Sequence, residues 1–148
     1  MAQDKELEFY KNLQIMSKVY AEIAKDKLTL AEKNMLLKYL CMALPYKVIV
    51  EIKSYGQETQ KPWFGELSCK DLDCFLRDVA YKSVKPYLRP LSSMTDEEDD
   101  TYRNLLGYEP TEFPNSEESL DFALKKHLDF LGLIPMGLAI DCTGLNVY

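Results

Sequence analysis

Residues 30–55 read LAEKNMLLKYLCMALPYKVIVEIKSY, and along them the spacing of apolar side chains changes from that of a helix to that of a strand. Leu30, Leu37, Leu40, Cys41 and Leu44 recur at helical intervals and predict one apolar face. Thr29 followed by Glu32 forms a capping box, in which each side chain satisfies an orphan backbone N–H, so this helix starts near Leu30. Pro45 has no N–H to donate and pushes Leu44 out of the helical region, which ends it. From residue 46 to 55, Tyr46, Val48, Val50 and Ile52 alternate with Lys47, Ile49, Glu51 and Lys53, the period-two pattern of a half-buried strand. Helix and strand follow one another with no linker between them. The expected fold is therefore α+β, with about five helices and a small, mainly antiparallel sheet of two to four short strands.

Toward the N-terminus, Phe9, Leu13, Met16, Tyr20 and Ile23 alternate steps of four and three, which puts all five on one face of a first helix. Beyond the strand, residues 56–61 read as a loop and residues 62–67 as a shorter strand that Pro62 assigns to a sheet edge. Ser68 and Asp71 predict a further cap, and Cys69, Leu72, Phe75, Leu76 and Val79 a buried helical stripe ending near Lys82. Residues 84–91 contain Pro86 and Pro90, so they read as extended chain or an edge strand. Thr95 and Glu98 repeat the capping box before a short, exposed helix that Gly107 terminates. Ser116 caps a last helix, with Glu117 and Glu118 leading and Lys125 and Lys126 trailing as the macrodipole prefers. After Gly132, residues 133–140 suggest a turn and then a short buried strand. No internal repeat or linker interrupts the chain, and residues 1–148 are expected to form a single domain.

The ordinary share of hydrophobic and charged residues, 47 % and 28 %, places the chain among folded rather than disordered or fibrous proteins. A net charge of −6 leaves no cationic surplus for phosphate backbones, so nucleic acid is not an expected partner. The charged opening residues and the absence of a long apolar run predict neither an export signal nor a membrane span. A cytoplasmic location follows as the expectation, with Cys41, Cys69, Cys74 and Cys142 as free thiols.

No glycine pattern cradles phosphates and no serine sits in a nucleophile-elbow context. One histidine cannot build a two-histidine metal helix, and Cys69 and Cys74 would point to different helical faces, so neither metal nor cofactor is expected. His127 could act as base to Cys74 or Cys142 if the fold joined them; a half-buried packing histidine is the simpler reading. The acidic residues 96–100 lack the alternation and central glycine of a calcium loop and read as a solvated helix start. Trp63 and Phe64 read either as core aromatics or as an interaction anchor. Residues 81–93 are the most suggestive segment for a ligand. Lys85, Tyr87 and Arg89 share one side of an extended chain, and Ser92 and Ser93 add donors near a capped helix start, a set suited to an anionic ligand. The alternative is a rigid connection in which the guanidinium satisfies carbonyls or an acidic neighbour.

Three ordered blocks carry a resemblance. Residues 36–46, LLKYLCMALPY, resemble the LLLKDLCARLPY segment of small uncharacterised proteins from gut bacteria and their phages. Residues 85–95, KPYLRPLSSMT, are similar to that group's KPYLRPMSSMT, and residues 127–140 to its HFDYRGLIEKGLAIE. The likeness covers about residues 31–141; Phe130 and Leu131 replace the group's Tyr and Arg, and Asp141, Cys142, Thr143 and Gly144 replace its acidic ending. The resemblance implies a phage or mobile-element setting and supplies no chemistry. Taken with the missing catalytic signatures, it leads to the expectation of a noncatalytic accessory protein that binds another protein. The alternative is a binder of a small anion, or an unrecognised enzyme, at Tyr87, Arg89 and Ser93.

Overall fold

Four of the five helices start where a side chain caps them. In the computed structural model, which describes residues 2–26, 28–54, 61–77, 81–107 and 113–148, Thr29, Ser68, Thr95 and Ser116 each accept from the backbone N–H three residues on. Each cap is reciprocal, the third residue reaching back to the cap's own N–H. The elements are α1 (Ala2–Asp26), α2 (Leu30–Ala43), β1 (Ile49–Ser54), β2 (Trp63–Glu66), α3 (Cys69–Leu76), β3 (Tyr81–Leu88), α4 (Asp96–Leu106), α5 (Glu117–Lys125) and β4 (Ile140–Asp141). The fold is α+β, with a mixed four-stranded sheet in the order β2-β1-β3-β4.

β1 pairs antiparallel with both β2 and β3, and β4 runs parallel to β3 over Tyr87 and Leu88. One sheet face is the core: Val48, Val50 and Ile52 alternate inward with Val84 and Leu88, and against them pack Leu36, Tyr39, Leu40 and Ala43 of α2. Leu106 and Tyr102 of α4, Ala123 and Leu124 of α5, and Leu128, Leu133 and Leu138 of the following turns complete it.

Several expectations are corrected by tertiary packing. α2 buries Leu36, Tyr39, Leu40 and Ala43, whereas Leu30 and Cys41 of the expected stripe are exposed. The helix is apolar around much of its circumference, so periodicity alone cannot choose the buried face. Leu44–Tyr46 form a 3-10 turn closed by Lys47 in the left-handed region at φ 58°, so the strand starts at Ile49 and Tyr46 is not part of it. α3 stops at Leu76 rather than near Lys82; Tyr81 and Lys82 belong to β3, because this stretch gains a full ladder with β1. Within α3 only Asp71 and Phe75 are buried, while Cys69 and Leu76 of the expected stripe are exposed and Val79 lies outside the described residues. α4 is not wholly exposed, since Tyr102 and Leu106 enter the core. α5 ends before His127, which adopts φ 54° in a turn. In α1, Phe9, Leu13 and Met16 are exposed; the side chains of Tyr20 and Ile23, and residues 56–60 of the expected loop, lie outside the described residues.

Pro86 sits in β3 between two neighbours, yet at its own position it is an edge residue. The register pairs it with Val50 of β1, and the ladder to β4 begins only at Tyr87. Leu88 accepts from the Cys142 N–H at 2.9 Å, which shows that even-numbered residues of β3 turn their backbone polar groups away from β1. The position where Pro86 would carry its missing N–H therefore faces the unpaired flank, where its absence breaks no ladder bond. β2, with Pro62 just before it, is the edge strand expected.

Candidate binding groove along the open edge of β3

Over residues 81–86 β3 pairs with β1 alone among the described residues, so its other flank is an open edge. Following the alternation set by Leu88, the N–H and C=O of Val84 and the C=O of Pro86 point to that flank. A groove of about 260 Å³ runs along it. Its floor is Leu36, Phe75, Val84 and Leu138; Leu28 and Met136 rise on its walls; and Lys33, Lys53, Lys82, Lys85 and Glu32 line it, with Lys53 Nζ 3.9 Å from Glu51 Oε1. The groove thus gathers four lysines in a chain of net charge −6.

The walls are held by specific contacts. On the α3 side, the Tyr81 hydroxyl donates to Asp71 Oδ1 at 2.7 Å, while Asp71 Oδ2 accepts from the N–H and hydroxyl of Ser68. The hydrogen bond to Asp71, followed by burial, pushes the Tyr81 phenol up to about 12, so it remains a donor through the neutral range. Lys33 reaches across from α2, donating to the Leu76 carbonyl at 3.4 Å with its ammonium 5.6 Å from the centre of the Phe75 ring. The opposite wall, residues 136–138, hangs from buried Asp129, whose two carboxylate oxygens accept from the N–H groups of Leu133 (2.7 Å) and Ile134 (2.9 Å). The Leu138 N–H then closes onto the Leu133 carbonyl at 2.9 Å.

The residues expected to form an anion site are dispersed by the fold. Lys85 lines the groove. Tyr87 lies on the outer sheet face, its ring edge-on to Phe64 at 5.2 Å and its hydroxyl donating to Glu51 at 3.4 Å. Arg89 turns to the start of α4, where Nη1 and Nη2 donate to Glu98 Oε2 and Oε1 at 3.0 and 2.8 Å and Nη2 also donates to the Ser93 carbonyl at 3.2 Å. Ser93 donates its hydroxyl to the Pro90 carbonyl at 2.7 Å, and exposed Ser92 borders a depression that also holds Asp96 and Asp99. The guanidinium is thus engaged by a carboxylate and a carbonyl, the arrangement of a rigid connection. Trp63 and Phe64, the other candidate pair, stand half-exposed on β2 at 50 and 51 %. The Trp63 indole lies over Gly65, where a Cβ would come within 2.7 Å of its ring.

His127 makes no hydrogen bond to Cys74 or Cys142 among the described residues; its ring stacks on Tyr148 with centroids 3.5 Å apart and planes at 10°. The Tyr148 hydroxyl is wedged between strands, accepting from the Ile49 N–H at 2.9 Å and donating to the Tyr87 carbonyl at 2.8 Å. Burial, and then the nearby Arg89 guanidinium, pull His127 down to about 4. Burial also pushes the Cys142 thiol up, away from the thiolate a nucleophile requires. The sign for stability follows: between pH 6.5 and about 4 the unfolded chain takes up a proton that the native chain refuses, so stability falls as pH drops through that window. The loss is on the order of 2–3 kcal/mol. As the only histidine, it gives one titrating pair of ring resonances by NMR, expected to move near pH 4. In a His127→Asn variant, whose side chain tolerates the left-handed backbone, the urea midpoint should lose its slope between pH 6.5 and 4.5. A midpoint near 6.5 would contradict the burial.

The groove itself went unread in the sequence. Lys82 and Lys85 lie close together in the sequence, but nothing in spacing or composition joins them to Lys33 and Lys53, which α2 and β1 deliver. Comparisons with protein-family models, with curated proteins and with solved structures return no match to this chain.

Proposed function

We propose that this protein is a noncatalytic binding module that takes an extended, acidic segment of another protein along the open edge of β3, in the phage or mobile-element setting that its sequence blocks imply. The observation behind this reading is the coincidence, in one groove, of strand backbone at Val84 and Pro86 that pairs on this flank with no strand among the described residues, and Lys33, Lys53, Lys82 and Lys85 over an apolar floor. An added strand gains affinity from main-chain hydrogen bonds, while pockets for alternate side chains and matched charge supply selectivity. Pro86 withholds one donor from that edge, which limits indiscriminate strand pairing and leaves Val84 as the donor to the incoming chain.

The test uses a fluorescein-labelled peptide of alternating glutamate and valine, about eight residues long to match a typical strand. Fluorescence anisotropy should show saturable binding that weakens as salt is raised, and the Val84 amide resonance should shift. Lys82→Glu combined with Lys85→Glu should weaken binding at least tenfold, about 1.4 kcal/mol or more. Equal binding of a lysine–valine peptide, or unchanged affinity in the double variant, would rule the reading out.

A further inference from the structure

The ladder between β1 and β3 pairs Val50 with Pro86, and the pair that would follow, Ile49 with Tyr87, is not completed. Even-numbered residues of β3 turn their backbone groups away from β1, so Tyr87 turns its carbonyl toward it, and the Ile49 N–H is the donor that an antiparallel ladder would bring to that carbonyl. The two groups are instead joined through the Tyr148 hydroxyl, which accepts from the Ile49 N–H at 2.9 Å and donates to the Tyr87 carbonyl at 2.8 Å. Further along the same flank of β3, the Arg89 N–H donates to the His127 carbonyl and the Arg89 carbonyl accepts from the Asp129 N–H. The flank therefore passes from β1 to residues 127–129, and the phenol fills the notch at the handover.

The notch offers a flat face, a donor and an acceptor. The face is His127, whose ring lies 3.5 Å from that of Tyr148 at 10° and whose buried Nδ1 has no hydrogen-bond partner among the described residues, so the two rings meet by stacking alone. A hydroxyl that accepts and donates at once satisfies the other two groups; a phenyl ring or an aliphatic side chain satisfies neither. Tyr148 is itself 47 % exposed, so the notch opens to solvent. The segment that delivers it is lightly held. Residues 143–146 are exposed, the Leu145 N–H closes a turn onto the Cys142 carbonyl at 2.9 Å, and residues 146–148 make no hydrogen bond among the described residues besides the two of the Tyr148 hydroxyl. When the phenol leaves, the Ile49 N–H can bond the Tyr87 carbonyl directly, which offsets part of the loss.

We propose that the notch formed by Ile49, Tyr87 and His127 is a recognition site for a tyrosine-type phenol, and that Tyr148 occupies it from within the chain as a displaceable latch. The incoming phenol is either a free small molecule or the Tyr148 side chain of a second copy; both present the same ring and hydroxyl. Either competes with a tethered group whose effective concentration is in the millimolar range. The inference stands independently of the acidic-peptide groove, which lies along the other flank of β3.

The probe is p-cresol, followed by NMR on the full chain. In Tyr148→Ala, millimolar p-cresol should return the Ile49 amide and the His127 ring resonances toward their wild-type positions along a saturable curve. Toluene, which has the ring without the hydroxyl, should bind at least about tenfold more weakly. Tyr148→Phe keeps the ring and its stacking, so it serves if the alanine variant fails to fold; p-cresol should displace it, read at the amide of residue 147, at a concentration about tenfold below that needed in wild type. Unlabelled wild type mixed with isotope-labelled Tyr148→Ala separates the sources. An Ile49 shift accompanied by a sedimenting pair assigns the phenol to a second copy, and no shift assigns it to a free molecule. Equal affinity for p-cresol and toluene, or no saturable response in the folded variants, would overturn the proposal.

Discussion

Arg89→Ala is expected to lower stability by about 3 kcal/mol, the range seen when one member of a mostly desolvated ion pair is removed. Arg89 and Glu98 are 25 and 16 % exposed, and the two contacts at 2.8 and 3.0 Å form the bidentate geometry that a guanidinium fits and an ammonium does not. The residue ties three pieces together. Its side chain holds the Ser93 carbonyl and the α4 capping carboxylate, while its N–H donates to the His127 carbonyl and its carbonyl accepts from the Asp129 N–H, both at 2.8 Å. Alanine keeps the backbone bonds and strands Glu98 as a half-buried charge. For a chain of this length the melting midpoint should fall by roughly 10 °C. Arg89→Lys should recover less than half of that, and a double-mutant cycle with Glu98→Ala should give a coupling of at least ~1.5 kcal/mol. Calorimetry showing Arg89→Ala within ~0.5 kcal/mol of wild type would refute the role, that being the level of an ordinary surface substitution.

The same pair sets an acid limit. The Arg89 hydrogen bond, working against burial and joined by the Thr95 N–H, holds the Glu98 carboxyl down at about 2. Because the native value lies below the unfolded one, the stabilisation is present in full above about pH 4.5 and is lost as pH falls toward 2. This window lies below that of His127, so the two can be separated in one acid titration.

Asp129→Ala is expected to cost about 3 kcal/mol, for a different reason. Its carboxylate is the acceptor for two N–H groups of a buried turn, and each orphaned buried donor costs roughly 1–3 kcal/mol. The effect should reach function, because that turn carries Met136, Gly137 and Leu138 to the groove. Anisotropy with the acidic peptide should therefore show weaker binding by Asp129→Ala even at temperatures where circular dichroism reports a folded chain. Asp129→Asn retains one acceptor oxygen but turns an amide donor toward the second N–H, so it should lose about half as much. Unchanged stability in Asp129→Ala would mean that water or a rearranged turn satisfies both amides.

The elements could be read from the residues wherever the information was local. Thr29, Ser68, Thr95 and Ser116 mark helix starts because a capping side chain bonds within three residues of itself. Pro45 marks an end, and the alternation of residues 48–53 marks a strand, because sterics and pleat are properties of neighbours along the chain. The α+β class followed from those signals. What depended on distant residues was not legible: which face of α2 turned inward, where α3 gave way to β3, and that Arg89 would meet Glu98 instead of remaining available to a ligand. The groove belongs to this second group. Lys33, Lys53, Lys82 and Lys85 come from a helix and two strands, and only the strand register and the turn held by Asp129 bring them to one edge. Caps, breaks and periods were thus determined by the sequence alone, because they are decided within a turn of the chain. The groove was decided by tertiary structure, because its charge and its open hydrogen-bonding edge exist only once β1, β3 and α2 are packed together.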